Sequence, residues 1–487
     1  MSYDFVIGKY TLESLTNGMY DSPLDLYREY IQNAVDSFDE AIKNDIASAE
    51  DLVVRIQIDS QEGTIVITDN GYGIPSNLAV ETLLDIGNSH KVRSVSRGFR
   101  GIGRLAGLSY CQKLTFRTSF CGEGLVTIVE YNAELLRELL LSSSKEQSVS
   151  EVINTVVSVR SEKESKSKHY FEVHLSGVWT GAGLTDCSVV KDYLQQHAPL
   201  KYAKSFLWGQ AVSEKFRLLG VRIPSYRITL NGEELYKPYQ DSFVSDRVKK
   251  NEDSIQDIIV EPFFRKEVLC AVLWYAKSSY YGTVLDNSIK GVRVRQGNIL
   301  VGGKTTCNSL FKEERFNGWL IGELFVFDDE IVANSRRDGF EKNSAFYELY
   351  ENLKEWAISV SKEIRHLSYK RSLTASGRAV AEAEKIDDID DENSLFVEMG
   401  SLAGDYCEGQ SLSQSESDDL AESDFITKLS MLLDQKKAQT KYAALNINAK
   451  LTIEQRKVLE RVFDLIIQEY DSKTADDFIN LIAKRFC

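Results

Sequence analysis

The 487-residue chain is short of the residues that mark metal centres and disulfide scaffolds. Its seven cysteines (Cys111, Cys121, Cys187, Cys270, Cys307, Cys407 and Cys487) are odd in number and scattered. None forms Cys-x-x-Cys and only five histidines are present, so neither a disulfide framework nor a structural zinc site is expected. No run of about 18 apolar residues occurs, which predicts no membrane-spanning helix. Met1-Ser2-Tyr3-Asp4-Phe5 has neither a basic start nor an apolar core, so no signal peptide is expected and the thiols read as reduced, in the cytoplasm. Excess positive charge is also lacking. The net charge is −15, and residues 372–424, with 15 acidic against 2 basic residues, supply −13 of it. The remainder is nearly neutral, which disfavours a generally basic nucleic-acid binder and leaves a local basic groove open.

What is present suits a multidomain globular protein: 43% hydrophobic and 27% charged residues over a length typical of about three domains. Residues 1–180 alternate helical and strand patterns around glycine-rich loops. Residues 185–370 are again mixed, with Tyr226–Leu230 running into Asn231-Gly232, a tight hairpin signal. A helical run from Ser344 to about Lys370 closes that region. The fold class expected is α/β (α+β), divided as 1–184, 185–371, an acidic linker 372–424 and a helical region 425–487. The linker reads as a mobile tether or a marginal helix. Beyond it the charge turns to net +3, and Val458, Leu459, Val462, Phe463, Ile466 and Ile467 recur at helical spacing behind Thr452.

Ser22-Pro23 followed by Asp25 predicts a helix from Pro23 to about Lys43. Leu24, Ile31, Val35, Phe38 and Ile42 fall on one apolar stripe, and Glu29, Asn33 and Asp36 stack opposite at i, i+4 and i+7. That carboxylate–amide–carboxylate set reads either as a solvated face or as a catalytic one. Arg28 projects close to the apolar stripe, where a cation is costly unless paired, so it is placed to brace a neighbouring polar site.

Two glycine loops follow. Thr64–Thr68 is a β-rich run ending at Asp69, then Asn70-Gly71-Tyr72-Gly73. This is ordinary turn chemistry, or else a strand-end acceptor carboxylate with two glycines that admit a ligand to the backbone. Gly98-Phe99-Arg100-Gly101-Ile102-Gly103-Arg104 has the glycine density of a flexible loop, or of a phosphate cradle at a helix start. Upstream, Gly87–Lys91 would close one end of a lid spanning 87–107. Gly303-Lys304-Thr305 resembles the end of a P-loop, but Asn298 stands where the first glycine is required, and neither glycine loop fits Gly-x-Gly-x-x-Gly.

In order, Glu29-x-x-x-Asn33-Ala34-x-Asp36, Asp69-x-Gly71-x-Gly73 and Gly98-x-x-Gly101-x-Gly103 resemble the GHKL ATPase superfamily, closest to the ninety-kilodalton heat-shock chaperone and MORC-like branch. Phe325–Asp338 resembles that chaperone's middle-domain catalytic loop, with Arg337 the best match to its arginine and Arg336 one residue away. Glu341 stands where the chaperone has a glutamine, and the family's threonine near the end of the ATP domain has no match around His169–Val173. The resemblance covers roughly residues 1–370. It implies a Bergerat-type α/β sandwich followed by a transducer-like α/β domain, with ATP and Mg2+ as ligands.

It further implies Glu29 as the base for the attacking water, Asn33 as the Mg2+ ligand, Asp69 as the adenine reader and Arg337 as the γ-phosphate contact. Asp36, Gly71, Gly73, Lys91, Gly98, Gly101, Ile102, Gly103 and Arg336 would complete the nucleotide site. The function implied is a Mg2+-dependent ATPase whose lid closure and homodimerisation drive a chaperone-like or clamp-like switch on a client protein, in bacterial antiphage defence. Nucleic acid remains open as the client, in the manner of a MORC-like clamp, and no membrane partner is expected. Residues 1–20 would cross to a partner, and the 451–487 helices would form either a dimer contact or a self-contained bundle. A GHKL protein kinase and a non-hydrolysing scaffold are the other classes. No histidine lies in a helical hairpin ahead of Glu29, which disfavours the kinase.

Overall fold

The computed structural model describes residues 22–85, 103–141, 148–246 and 248–375, with side chains described as far as residue 371. Lys91, Gly98, Gly101 and Ile102, together with the segments 1–20, 376–424 and 425–487, lie outside the described residues. The chain divides into two compact units, Met1–Ser361 and Lys362–Cys487. Both sheets described below, and the candidate site, belong to the first. Among the described residues no helix is long and apolar enough to cross a membrane.

Helix α1 (Asp25–Lys43) begins two residues later than its sequence suggests, because Ser22 to Leu24 form a turn, with Asp25 N bonded to Ser22 O at 3.0 Å. Thirteen of its 19 residues are buried, so it is no surface helix with one wet face. Ile31, Val35 and Phe38 are at most 1% exposed, whereas Ile42 is 40% exposed at the end of the last turn.

The first sheet has eight strands. A hairpin of β1 (Val53–Asp59) and β2 (Thr64–Asp69) leads through α2 (Ser76–Leu84) to β3 (Lys113–Ser119) and β4 (Leu125–Asn132). Helices α3 (Ala133–Leu141) and α4 (Val149–Val156) precede β5 (Val157–Lys163) and β6 (Tyr170–Ser176). A strict period of two buries Ile65, Ile67 and Asp69 on one face of β2, which places a carboxylate at the end of an apolar stripe. That stripe and Val54 and Ile56 of β1 share one core with Leu26, Ile31, Val35 and Phe38 of α1.

After α5 (Cys187–His197) and α6 (Trp208–Leu218), the expected hairpin appears as β7 (Arg227–Leu230) and β8 (Glu233–Glu234). Asn231 and Gly232 both take positive φ, 47° and 86°, as a type I′ turn demands. The hairpin completes the first sheet, whose order is β5-β4-β3-β6-β2-β1-β7-β8, with β7 parallel to β1. A cut at residues 184/185 therefore does not separate the two sheets: the edge of the first is contributed from beyond it.

The pair β9 (Ser242–Ser245) and β10 (Asn251–Ser254) leads into the second sheet. This contains β11 (Asp257–Arg265), β12 (Val268–Lys277), β13 (Gly291–Gln296), β14 (Ile299–Val301) and β15 (Ile321–Val326), in the order β11-β12-β15-β13-β14. The final helix, α7, covers Ser344–Ala375.

Candidate active site

Glu29 and Asp36 lie on the polar side of α1, yet they are only 9% and 6% exposed, and Asn33 between them is half-buried. The solvated-face reading fails because other segments cover this side of the helix. One cover is the 3-10 helix Gly103–Ser109. The neighbouring Tyr30 hydroxyl donates to Arg104 O at 3.1 Å and accepts from Gly107 N at 2.9 Å, which fixes that turn against α1. A Cβ at Gly103 would overlap the Glu29 carboxylate, so this position has no room for a side chain.

The second cover arrives from about 300 residues away. After β15 the chain forms a loop closed by the bridge Ala333–Phe340, and Arg337 at its tip points back to α1. Arg337 Nε lies 3.9 Å from Glu29 Oε1, and both side chains are about nine-tenths buried. Arg336 is exposed; its carbonyl accepts from Arg28 Nη2 at 3.3 Å. Arg28 also reaches Asp25 Oδ1 at 3.2 Å and Glu29 Oε1 at 3.4 Å. The cation beside the apolar stripe is therefore a brace between α1 and the loop.

Asp25 in turn accepts from the Tyr193 hydroxyl at 2.8 Å. Burial pushes that hydroxyl well above its usual pKa, which keeps it a donor. His197 stacks on the Tyr193 ring at 3.9 Å, and burial, opposed by a bond to Tyr193 O and reinforced by Arg28, pushes its imidazole down to about 3. It is neutral beside the cation.

The arginine loop is held at each side of its base. Arg265 grips Asp328 with Nε and Nη2 at 2.7 and 3.0 Å and reaches Glu330 at 3.0 Å. Its hydrogen bonds hold the Asp328 carboxyl below the usual carboxylate range. Gln296 donates to Ile331 O at 2.7 Å, and Asn343 to Glu330 O at 2.7 Å. At the tip Arg337 takes φ 58°, unusual for a side chain of this size, and its carbonyl accepts from Gly302 N at 2.7 Å. Glu341 follows the loop, its backbone N–H bonded to Val332 O at 2.8 Å.

At the far end of the helix's polar side, Asp69 is 4% exposed and accepts from Gly71 N at 2.9 Å. A Cβ at Gly71 would overlap Ser37 and approach Asp69, and Gly73, at φ 71°, lies against Ser119 O. The loop is secured by Ser37, whose Oγ accepts from Tyr72 N at 2.8 Å, and by Thr118, whose Oγ1 accepts from Ile74 N at 2.8 Å. His169 Nδ1 lies 2.7 Å from Gly71 O. Ser37 follows Asn33 by one turn of α1, a spacing that could have flagged it. Thr118 and His169 carry no such signal, because only pairing of β3, β6 and β2 brings them here.

The chain's own motifs thus surround one region: Glu29, Asn33 and Asp36 on α1, Asp69 at a strand end, two glycine turns, and Arg337. Residues 27–161 match a family model described as Histidine kinase-, DNA gyrase B-, and HSP90-like ATPase. Residues 27–161 are thus a GHKL-type segment. Chaperone protein HtpG of Buchnera aphidicola subsp. Schizaphis graminum (strain Sg) is 27% identical over 133 residues, covering 23% of this chain and 21% of that protein. Chaperone protein HtpG of Shewanella sediminis (strain HAW-EB3) is 28% identical over 134 residues, 24% of this chain and 21% of its own length. The likeness spans about a fifth of these relatives' length. A domain of this family binds ATP, and the glycine backbones and oxygen donors gathered here suit a nucleotide.

Proposed function

We propose that this protein hydrolyses ATP, with Glu29 activating water and Arg337 meeting charge on the terminal phosphate, and that this reaction drives a chaperone-like or clamp-like switch. The observation that carries the reading is the approach of Arg337 to Glu29 from a segment some 300 residues away. A carboxylate needs an open lone pair to take a proton, and Arg28 and Arg337 hold the Glu29 carboxylate in place. Arg337 brings a fixed cation to a buried site, where such a charge is worth most. In this reading Asp69 would accept an exocyclic amine, and the backbones of Gly71, Gly73 and Gly103 would face the nucleotide. Asp36, one turn beyond Asn33, adds a carboxylate for water-mediated contacts.

The donor set also suits Mg2+, which prefers hard oxygen ligands and retained waters, and Asn33 would hold it by its amide oxygen. The ion, when bound, supplies charge neutralisation at the phosphates. Lys91, Gly98, Gly101 and Ile102 belong to this reading through the lid-end motif, with Arg336 as neighbour to the phosphate contact. Because the arginine loop is built on the second sheet, hydrolysis is expected to depend on how that region meets α1. Conformation and turnover are then coupled, with a homodimer as the working form.

The test is phosphate release and nucleotide binding by the wild type, Glu29→Gln and Arg337→Ala, each over a range of protein concentrations. Glu29→Gln is expected to bind ATP but to lose about 10²–10⁴ in turnover. Arg337→Ala is expected to lose turnover likewise, and wild-type specific activity to rise with concentration. Near-normal hydrolysis by Glu29→Gln rules out the assigned base.

A further inference from the structure

Three basic side chains, Lys237, Arg293 and Arg295, are buried around the second sheet's one fully buried carboxylate, Glu323. Glu323 on β15 is fully buried and accepts from Lys237 Nζ at 2.9 and 2.7 Å, from the Tyr202 hydroxyl at 2.6 Å, from Trp274 Nε1 at 3.2 Å and from Arg295 Nε. Lys237 and Arg295 are 2% and 1% exposed, so one carboxylate serves two buried cations. Among the described residues Arg293, also buried, is bonded to neutral oxygens of Gln196, Asn287 and Ser288.

Lys237 lines a cavity of about 450 Å³, within the range of small-molecule sites. Lys201 and Lys204 are exposed members of its lining, Tyr202 and Phe206 give it an aromatic wall, and no Asp or Glu is among its described lining residues. Asn298 lies on the same wall and is 1% exposed. Its Nδ2 donates to Pro224 O at 2.7 Å, while its Oδ1 is buried without a donor among the described residues. A buried acceptor in that position is satisfied by an N–H or O–H donor, from water or from a ligand.

We propose that this cavity binds a small organic anion that carries an N–H or O–H donor next to its charged group and an apolar body. The exposed Lys201 and Lys204 meet the charge while Lys237 acts through its field from behind Tyr202, Asn298 Oδ1 receives the donor, and Tyr202 and Phe206 cover the apolar part. Burial first, and Arg295 second, push the Lys237 amine down to about 7, against the pull of Glu323. Nothing in this site uses Glu29, Asp69 or Arg337, so it stands apart from the nucleotide site.

The probe is anthranilate, which sets an amine beside a carboxylate on a ring; benzoate lacks the donor and aniline lacks the charge. Ligand-observed NMR titrations on the full chain are expected to give saturable anthranilate binding with Kd of about 1 mM or tighter. Benzoate and aniline are expected to bind at least about fivefold more weakly. The double variant Lys201→Glu/Lys204→Glu alters exposed side chains alone, and Ser213→Trp fills the cavity from the exposed side of α6; both are expected to abolish binding with the fold intact. Absence of saturation up to about 10 mM anthranilate overturns the site. So does binding that both variants retain, and equal affinity for benzoate overturns the ligand class.

Discussion

Gly103 has no side chain to place, and the Glu29 carboxylate occupies the space that a Cβ would take. The substitution Gly103→Ala must therefore shift the carboxylate, the 3-10 turn, or both. Tyr30 anchors that turn through two hydrogen bonds, so the carboxylate is the softer partner. Displacement of a reacting group by about 1 Å costs on the order of 10²-fold in rate. Gly103→Ala is thus expected to lower ATP turnover about 10²-fold, with little change in melting temperature, measured side by side by phosphate release and by circular dichroism. A large drop in melting temperature with turnover preserved contradicts the placement. The sequence pointed to Gly103 as a phosphate cradle through its motif. Its contact with Glu29 was not legible, because the two residues lie 74 positions apart and meet only when the 3-10 turn packs on α1.

Among the elements, the arginine loop shows how position is enforced. A residue at φ 58° does not hold that conformation unaided, and the loop around Arg337 is fixed both by bonds at its base and by those that Arg28 and Gly302 make to the Arg336 and Arg337 carbonyls. Arg265 makes the strongest of these, a forked contact with Asp328 reinforced by Glu330. Arg265→Ala is expected to cut kcat about tenfold or more while nucleotide affinity stays within about threefold, since the side-chain contacts described for Arg265 are to Asp328 and Glu330 of the loop. Arg265→Lys should rescue only part, because an ammonium cannot supply the fork. Equal losses in kcat and affinity, read by single-turnover and binding measurements, count against a positioning role.

The same element separates what was legible from what was not. The run Phe325–Asp338 stood out by resemblance, and in the structure it spans the end of β15 and the loop that carries Arg337. Its clamp was invisible, because Arg265 sits on another strand with nothing distinctive around it. For α1, periodicity gave the apolar stripe, yet the opposite side proved buried as well, since its covers come from the turn at Gly103 and the loop at Arg337. Asn231-Gly232 announced a hairpin, and long-range pairing with β1 then decided which sheet received it.

Over the whole unit of residues 1–361, polar contacts join the two sheets. Glu29 meets Arg28, Arg28 meets Asp25, and Asp25 meets Tyr193 on α5. On the same helix the Gln196 carbonyl accepts from Arg295 at 2.9 Å, and Arg295 meets Glu323. The last member governs the acid response of this assembly. Burial alone raises the Glu323 pKa, but Arg295 and Lys237, with their hydrogen bonds, overcome it and hold the carboxyl down at about 2, against an ordinary 4.5. A folded-state pKa below the unfolded one means that the unfolded chain binds the proton first as pH falls. The contribution of Glu323 is therefore complete above about pH 4.5 and is lost as pH drops towards 2. Glu323→Gln leaves two buried cations without their carboxylate, and is expected to cost about 3–5 kcal/mol near neutral pH. The diagnostic is the pH dependence of that difference, followed by urea unfolding with tryptophan fluorescence, which Trp274, bonded to Glu323, helps to report. The gap between wild type and variant should narrow steadily from about pH 4.5 to 2, because protonation gives the wild type the same neutral group. A gap that stays constant across this window means that Glu323 is not the ionised centre of the cluster.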